Sequence, residues 1–145
     1  MSHLRRTLRT LRSLGAALAG YVAIILATTV GFAPLGGIVH LSAPLRLQLL
    51  ATAVAIASGV LGGMVAGWVG GRSPIRHAFG TAVFVAVETT ALIGLKPSAD
   101  PLWFDVFGAA TLTAATLAGG YLWARVTRHR YEALAAIGRP SGQTS

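Results

Sequence analysis

The residue of this 145-residue chain best placed to do chemistry is a lone acid, Glu88, inside a long apolar stretch. Its distance from Pro74, about 14 residues of helical rise, puts it close to the centre of a bilayer. An ionised carboxylate at that depth costs at least about 2.5 kcal/mol unless it is paired, so an intramembrane acid marks a functional position by default. Three roles are open to it. Protonated, it can hydrogen-bond a hydroxyl at similar depth, from Tyr21, Thr28, Ser58, Thr113 or Thr116. It can face a cation or polar group of a partner subunit. It can also bind a proton or a cationic substrate in a transport cycle. No Lys, Arg or His of the chain is expected at its depth, so an internal salt bridge is not expected either. On a helical wheel Glu88 shares its side with Thr81, Phe84 and Leu92, away from the row Ala82, Ala86 and Thr90.

The other reactive residue types form no site. His3, His40, His77 and His129 never share a face at metal-ligand spacing, and no acid accompanies them. His77 follows Arg76 at the mouth of the third apolar segment, where it either contacts a lipid headgroup or ligates a haem or pigment of a larger complex. The Ser and Thr residues show no nucleophile-and-base arrangement. Gly62-Gly63 and Gly70-Gly71 lack the Lys-Ser/Thr that a phosphate-cradling loop needs. With no cysteine, disulfides, thiolate nucleophiles and cysteine-held metals are excluded. The expectation is a protein without enzyme activity and without a cofactor or metal of its own.

These residues must be positioned by helices that cross a membrane. Hydrophobic residues make up 54% of the chain and charged ones 11%, against about 25% charged in a soluble domain, so most of the chain cannot face water. Four apolar stretches are long enough to span a hydrocarbon core, at about 14–33, 45–70, 74–95 and 101–124. None has a proline in its interior. Ser73-Pro74 and Asp100-Pro101 each place a capping side chain before a proline at the first helical position. A cleaved leader is the competing reading of the first span, with Arg5, Arg6, Arg9 and Arg12 as its basic region and Gly31-Phe32-Ala33 as small residues near a cut. The apolar stretch is longer than a leader's usual 7–15 residues, and Pro34 would follow the cut, so a retained span is expected.

The arginines set the orientation. Arg5, Arg6, Arg9, Arg12, Arg72, Arg76, Arg125, Arg128, Arg130 and Arg139 fall on one side, with only Arg46 and Lys96 on the other. That asymmetry puts both termini in the cytoplasm. It also argues against nucleic-acid binding, although the net charge is +8. Arg5, Arg6, Arg9, Arg12, Arg72, Arg76, Arg125 and Arg128 are positioned to hold anionic headgroups of the inner leaflet. Trp103, Phe104 and Phe107 suit the outer interface, and Trp68, Tyr121 and Trp123 the inner one. Residues 1–13, with Leu4, Leu8, Leu11 and Leu14 at helical spacing beside arginines, read as an amphipathic cytoplasmic arm. Residues 125–145 form a basic tail whose first part extends the fourth helix until Gly138 and Pro140 stop it. Heavy use of Ala, Gly and Arg with Lys96 as the single lysine points to a GC-rich bacterial genome, hence to a bacterial inner membrane.

The strongest pattern is small residues at every fourth position. The second span has Ala51, Ala55, Gly59, Gly63, Gly67 and Gly71, flanked by Ser58, Gly62, Ala66 and Gly70. The first has Gly15, Ala19, Ala23, Ala27 and Gly31, and the third Ala78, Ala82, Ala86, Thr90 and Gly94. Helices in lipid associate by close backbone approach, which such rows permit. The rows serve either packing within one four-helix bundle or docking of a second copy or another membrane subunit on the glycine face.

The segment Gly62-Gly63-Met64-Val65-Ala66-Gly67, followed by Arg72-Ser73-Pro74-Ile75-Arg76-His77-Ala78, resembles a pattern in small uncharacterised bacterial four-helix inner-membrane proteins. There a Gly-Gly-aromatic segment closes the second span and Arg-x-Pro-x-x-His-Ala opens the third. This chain has Met64 where an aromatic is common. Residues Arg12 to Gly20 are also similar, and the likeness covers roughly the first three spans. It implies the same topology and no activity. Small multidrug exporters share four spans and one intramembrane Glu, but theirs lies in the first span.

The expected fold is therefore an all-α four-helix transmembrane bundle with short loops, both termini inside, an N-terminal arm and a C-terminal helical extension. The expected function is a non-catalytic accessory or scaffolding subunit that packs through its Gly/Ala helix faces, with the glycine face of the second span doing the docking, against itself or a larger membrane complex. The alternative is a small transporter or channel protomer that uses Glu88 for proton or cation coupling.

Overall fold

The structure is a computed structural model that describes residues 2–37, 39–71, 73–95 and 100–137, with side chains for residue 7 and for 10–37, 39–71, 73–95 and 100–130. Those residues are helical apart from short connections. Helix α1 runs Ser2–Phe32, α2 Leu45–Gly70, α3 Pro74–Leu95 and α4 Leu102–Ile137, with a 3-10 turn at Ala33–Leu35. All four contain a segment long and apolar enough to cross a membrane. The boundaries follow local chemistry. Pro34 and Gly36, the latter at φ +82°, turn the chain after α1. Gly71 ends α2 at φ +73° and ψ −100°, a conformation that a residue with a Cβ adopts only under strain. Pro74 opens α3, where its missing N–H costs nothing. Helix α1 continues without a break through residues 2–13, so the basic arm and the first span are one rod.

Successive helices run antiparallel. The start of α1, the α2–α3 turn and the last turns of α4 therefore meet at one end, the arginine end. The α1–α2 loop and the start of α4 meet at the other, the Asp100 end. Helix α2 packs most extensively on α4 and then on α1, while α3 packs chiefly on α4.

The seam is made of backbone meeting backbone. Consecutive residues on a helix point about 100° apart, so a Gly-Gly pair can face two neighbours at once. Gly62 lies against Gly20 and Ile24 of α1, and Gly63 against Thr116 and Gly120 of α4. Gly119 in turn lies against Val60 of α2, and Gly120 against Ala78 of α3. The core is correspondingly small: Ala16, Ala17, Ile24, Ala66, Ala78, Ala82, Val85 and Ala115 are its buried hydrophobic residues. Large apolar side chains cover the outside instead, among them Leu26, Val30, Leu49, Phe79, Val87 and Trp103. That inversion suits a solvent of lipid.

Packing is graded along the bundle. The buried residues of α2, from Ser58 to Gly70, lie in its arginine-end half. Those of α3, Ala78, Thr81, Ala82 and Val85, lie in the same half. Towards the Asp100 end the small-residue row of α3 comes to the surface at Thr90 and Gly94.

Candidate functional site

Helix α3 holds Glu88 on the outer surface of the bundle, exposed, next to α1. Its neighbour is Tyr21 of α1, whose hydroxyl lies beside the Glu88 carboxylate. The Tyr21 ring also packs at a tilt on Phe84, with centroids 6.4 Å apart. Of the hydroxyls expected at similar depth, Tyr21 is thus the one beside the acid. Thr28, Thr113 and Thr116 donate to carbonyls of their own helices. Thr81, which shares a wheel side with Glu88, instead turns inward and donates to Ala17 O at 3.0 Å, tying α3 to α1.

The glycine face of α2 is occupied from within the chain. Gly59 meets Ala115 and Leu112, Gly63 meets Thr116 and Gly120, and Gly67 meets Trp123 and Pro74. These positions are buried, so within the single chain this face serves packing against α4 and, at Gly67, against the start of α3. The row breaks at both ends: Ala55 lines a cavity, and Gly71 sits beneath the Arg12 guanidinium, with Nη2 3.1 Å from where a Cβ would be. In α1 the contact face is Ala16, Ala17, Gly20 and Ile24. It is turned from the expected row, and Gly15 there has open space where a Cβ would point.

At the arginine end, Arg12, Arg76, Arg125 and Arg128 are all exposed. The side chains of Arg5, Arg6 and Arg9, and all of Arg72, lie outside the described residues, as does the chain from Gly138 on. His77 is engaged locally: its Nδ1–H donates to Ser73 O at 2.7 Å, and its ring lies against Gly70. No three His, Asp or Glu residues come together among the described residues.

One pairing at the Asp100 end corrects the expectation that no acid accompanies a histidine, because the fold brings Asp100 beside His40 from 60 positions away. The Asp100 carboxylate accepts from His40 Nδ1–H at 2.8 Å and from the Leu41 backbone N–H at 2.9 Å. It thereby clasps the α1–α2 loop to the start of α4. The bond from His40 first, then that from Leu41, hold the carboxyl below its ordinary value. Gln48 ties the same loop to α2, donating both amide hydrogens, to Leu41 O at 2.7 Å and to Ala43 O at 2.8 Å.

No protein-family profile, curated protein or solved structure matches the chain.

Proposed function

We propose that the chain is a small non-catalytic membrane subunit that engages a larger membrane protein, or a second copy of itself, through the outer α1–α3 face around Glu88. The placement of Glu88 carries this reading. The acid is exposed on the outside of a spanning helix, about 5 Å of helical rise from that helix's midpoint. In lipid the acid has the Tyr21 hydroxyl beside it and otherwise takes up a proton or costs about 2.5–3.5 kcal/mol on insertion scales; a partner's donor or cation lowers what remains of that cost. A single interhelical polar contact contributes only about 0.6 kcal/mol on average, so the acid selects which face meets the partner more than it holds the pair together.

The interior supports a scaffold over a conduit. Its buried polar groups among the described residues are the hydroxyls of Ser58, Thr81 and Thr116. The arginine end suits the cytoplasmic leaflet of a bacterial inner membrane, with both termini inside and anionic headgroups at the arginines. The same outward carboxylate favours one other reading, a transporter or channel protomer: two copies meeting at this face would place two carboxylates around a shared proton or cation.

The absence of cysteine makes the test direct, because single-cysteine variants report contacts without background. Leu92→Cys, on the Glu88 side of α3, should crosslink in native membranes to a partner or a second copy. Leu61→Cys, exposed on α2, should not. Crosslinking at both positions alike, or at neither, refutes the docking face. Glu88→Gln keeps the shape and should leave the crosslink in place; loss of a proton-coupled flux alongside an intact crosslink would select the transporter.

A further inference from the structure

We propose that the chain binds one neutral hydrocarbon chain in a lateral cavity between the Asp100-end halves of α2 and α4. The cavity measures about 380 Å³, within the range of about 300–1,000 Å³ found for small-molecule sites. Phe32, Leu41, Leu45, Trp103, Phe107 and Gly108 form much of its wall. Trp103 and Phe104 stand edge to face, their centroids 5.8 Å apart.

The lining defines the ligand by what it lacks. No charged residue takes part in it. Its polar side chains are Gln48, Thr52 and Thr111, and their hydrogens are already spent on backbone carbonyls. Gln48 donates to Leu41 O and Ala43 O, Thr52 to Gln48 O, and Thr111 to Phe107 O. Apart from the half-exposed Trp103 indole, the walls therefore offer no side-chain donor to an anion or a carbonyl. A saturated or unsaturated hydrocarbon chain asks for none.

Gly108 is the second observation. The other described glycines of α4 are needed for contact: a Cβ on Gly119 would meet Val60 O, and one on Gly120 would meet Ala78. A Cβ on Gly108 would meet nothing within 4 Å. Glycine inside a helix is destabilising relative to alanine, and here no neighbouring helix demands it. Its missing side chain keeps the cavity open. Ala51 and Ala55 opposite continue the small-residue row of α2 into the same space.

The test is native mass spectrometry in a sterol-based detergent, whose rigid rings do not mimic a single chain. One arm uses protein purified with its own membrane lipids, and the other uses delipidated protein titrated with 1-hexadecanol. Wild type should retain one phospholipid in the first arm if an acyl chain of the membrane is the occupant. It should bind hexadecanol one-to-one in the second if the site takes a free chain. Gly108→Leu and Ala51→Leu fill the cavity, and each should weaken binding at least ten-fold while its far-UV circular dichroism melting stays at or above that of wild type. Equal binding by wild type and a folded variant, or no one-to-one adduct in either arm, overturns the site.

Discussion

Gly63→Ala and Gly108→Ala are the same chemical change in facing helices, and the structure gives them different outcomes. At Gly63 the added methyl would run into Thr116 O and lie 2.9 Å from Gly120 N. Both are backbone atoms, so no rotamer change can relieve the clash, and α2 and α4 must move apart. Overpacking of this kind costs about 1–3 kcal/mol. The better helix propensity of alanine returns at most about 1 kcal/mol, and less where the denatured state keeps its helices. The net expectation for Gly63→Ala is a loss of about 1–2 kcal/mol. At Gly108 nothing lies within 4 Å, so only the propensity gain remains, between zero and about 1 kcal/mol. Reversible unfolding in mixed micelles with increasing dodecyl sulfate, followed by circular dichroism, reads both. A Gly63→Ala protein as stable as wild type would refute the backbone-to-backbone seam. A destabilised Gly108→Ala protein would refute the open space beside α4.

Thr81→Val removes the donor to Ala17 O while keeping the side chain's shape, and should cost about 0.6 kcal/mol in the same unfolding assay, the average for interhelical polar contacts in lipid. The Asp100 clasp predicts an acid-side transition. A carboxyl held below its ordinary value of about 3.9 contributes stability above that value and loses it as pH falls through the lowered one. Hydrogen exchange at the Leu41 amide should therefore show full protection at pH 5 that declines only below about pH 4. In Asp100→Asn protection should be weaker and flat with pH, and wild-type protection in that variant would remove the clasp from the account.

Sequence reasoning reached the helices because their ends are written in local chemistry. Pro34, Pro74 and the Gly70-Gly71 pair fall where helices begin or end, and such signals act within a few residues. It reached the smoothness of the α2 face for the same reason. It could not say what covers that face, because four-residue spacing describes one helix and not its neighbour. The identical spacing of Ala51, Ala55, Gly59 and Gly63 hides two environments, an open cavity for the first pair and a tight seam for the second. In α1 a more buried row, Ala16, Ala17, Gly20 and Ile24, lies beside the one that composition favoured, and a branched Ile24 gave no small-residue signal. Counting residues put Tyr21 at the depth of Glu88 among several hydroxyls, and only the arrangement of α1 against α3 singled it out. The His40–Asp100 pair joins positions 60 apart in sequence, and no local pattern links them.

The concentration of buried contacts between α2 and α4 towards the arginine end leaves the other halves of these two helices as arms on a shared base. From Gly59 to Leu45, α2 reaches about 21 Å beyond the region where glycines lock it to α4. A tilt of about 5° at this base moves the tip by about 2 Å, enough to widen or shut the space between the two rods. Ties at the tip, His40 to Asp100 and Gln48 to the loop, act with the full length of that arm. A bond of small energy placed there would resist such a tilt with a leverage that the same bond near Gly63 lacks.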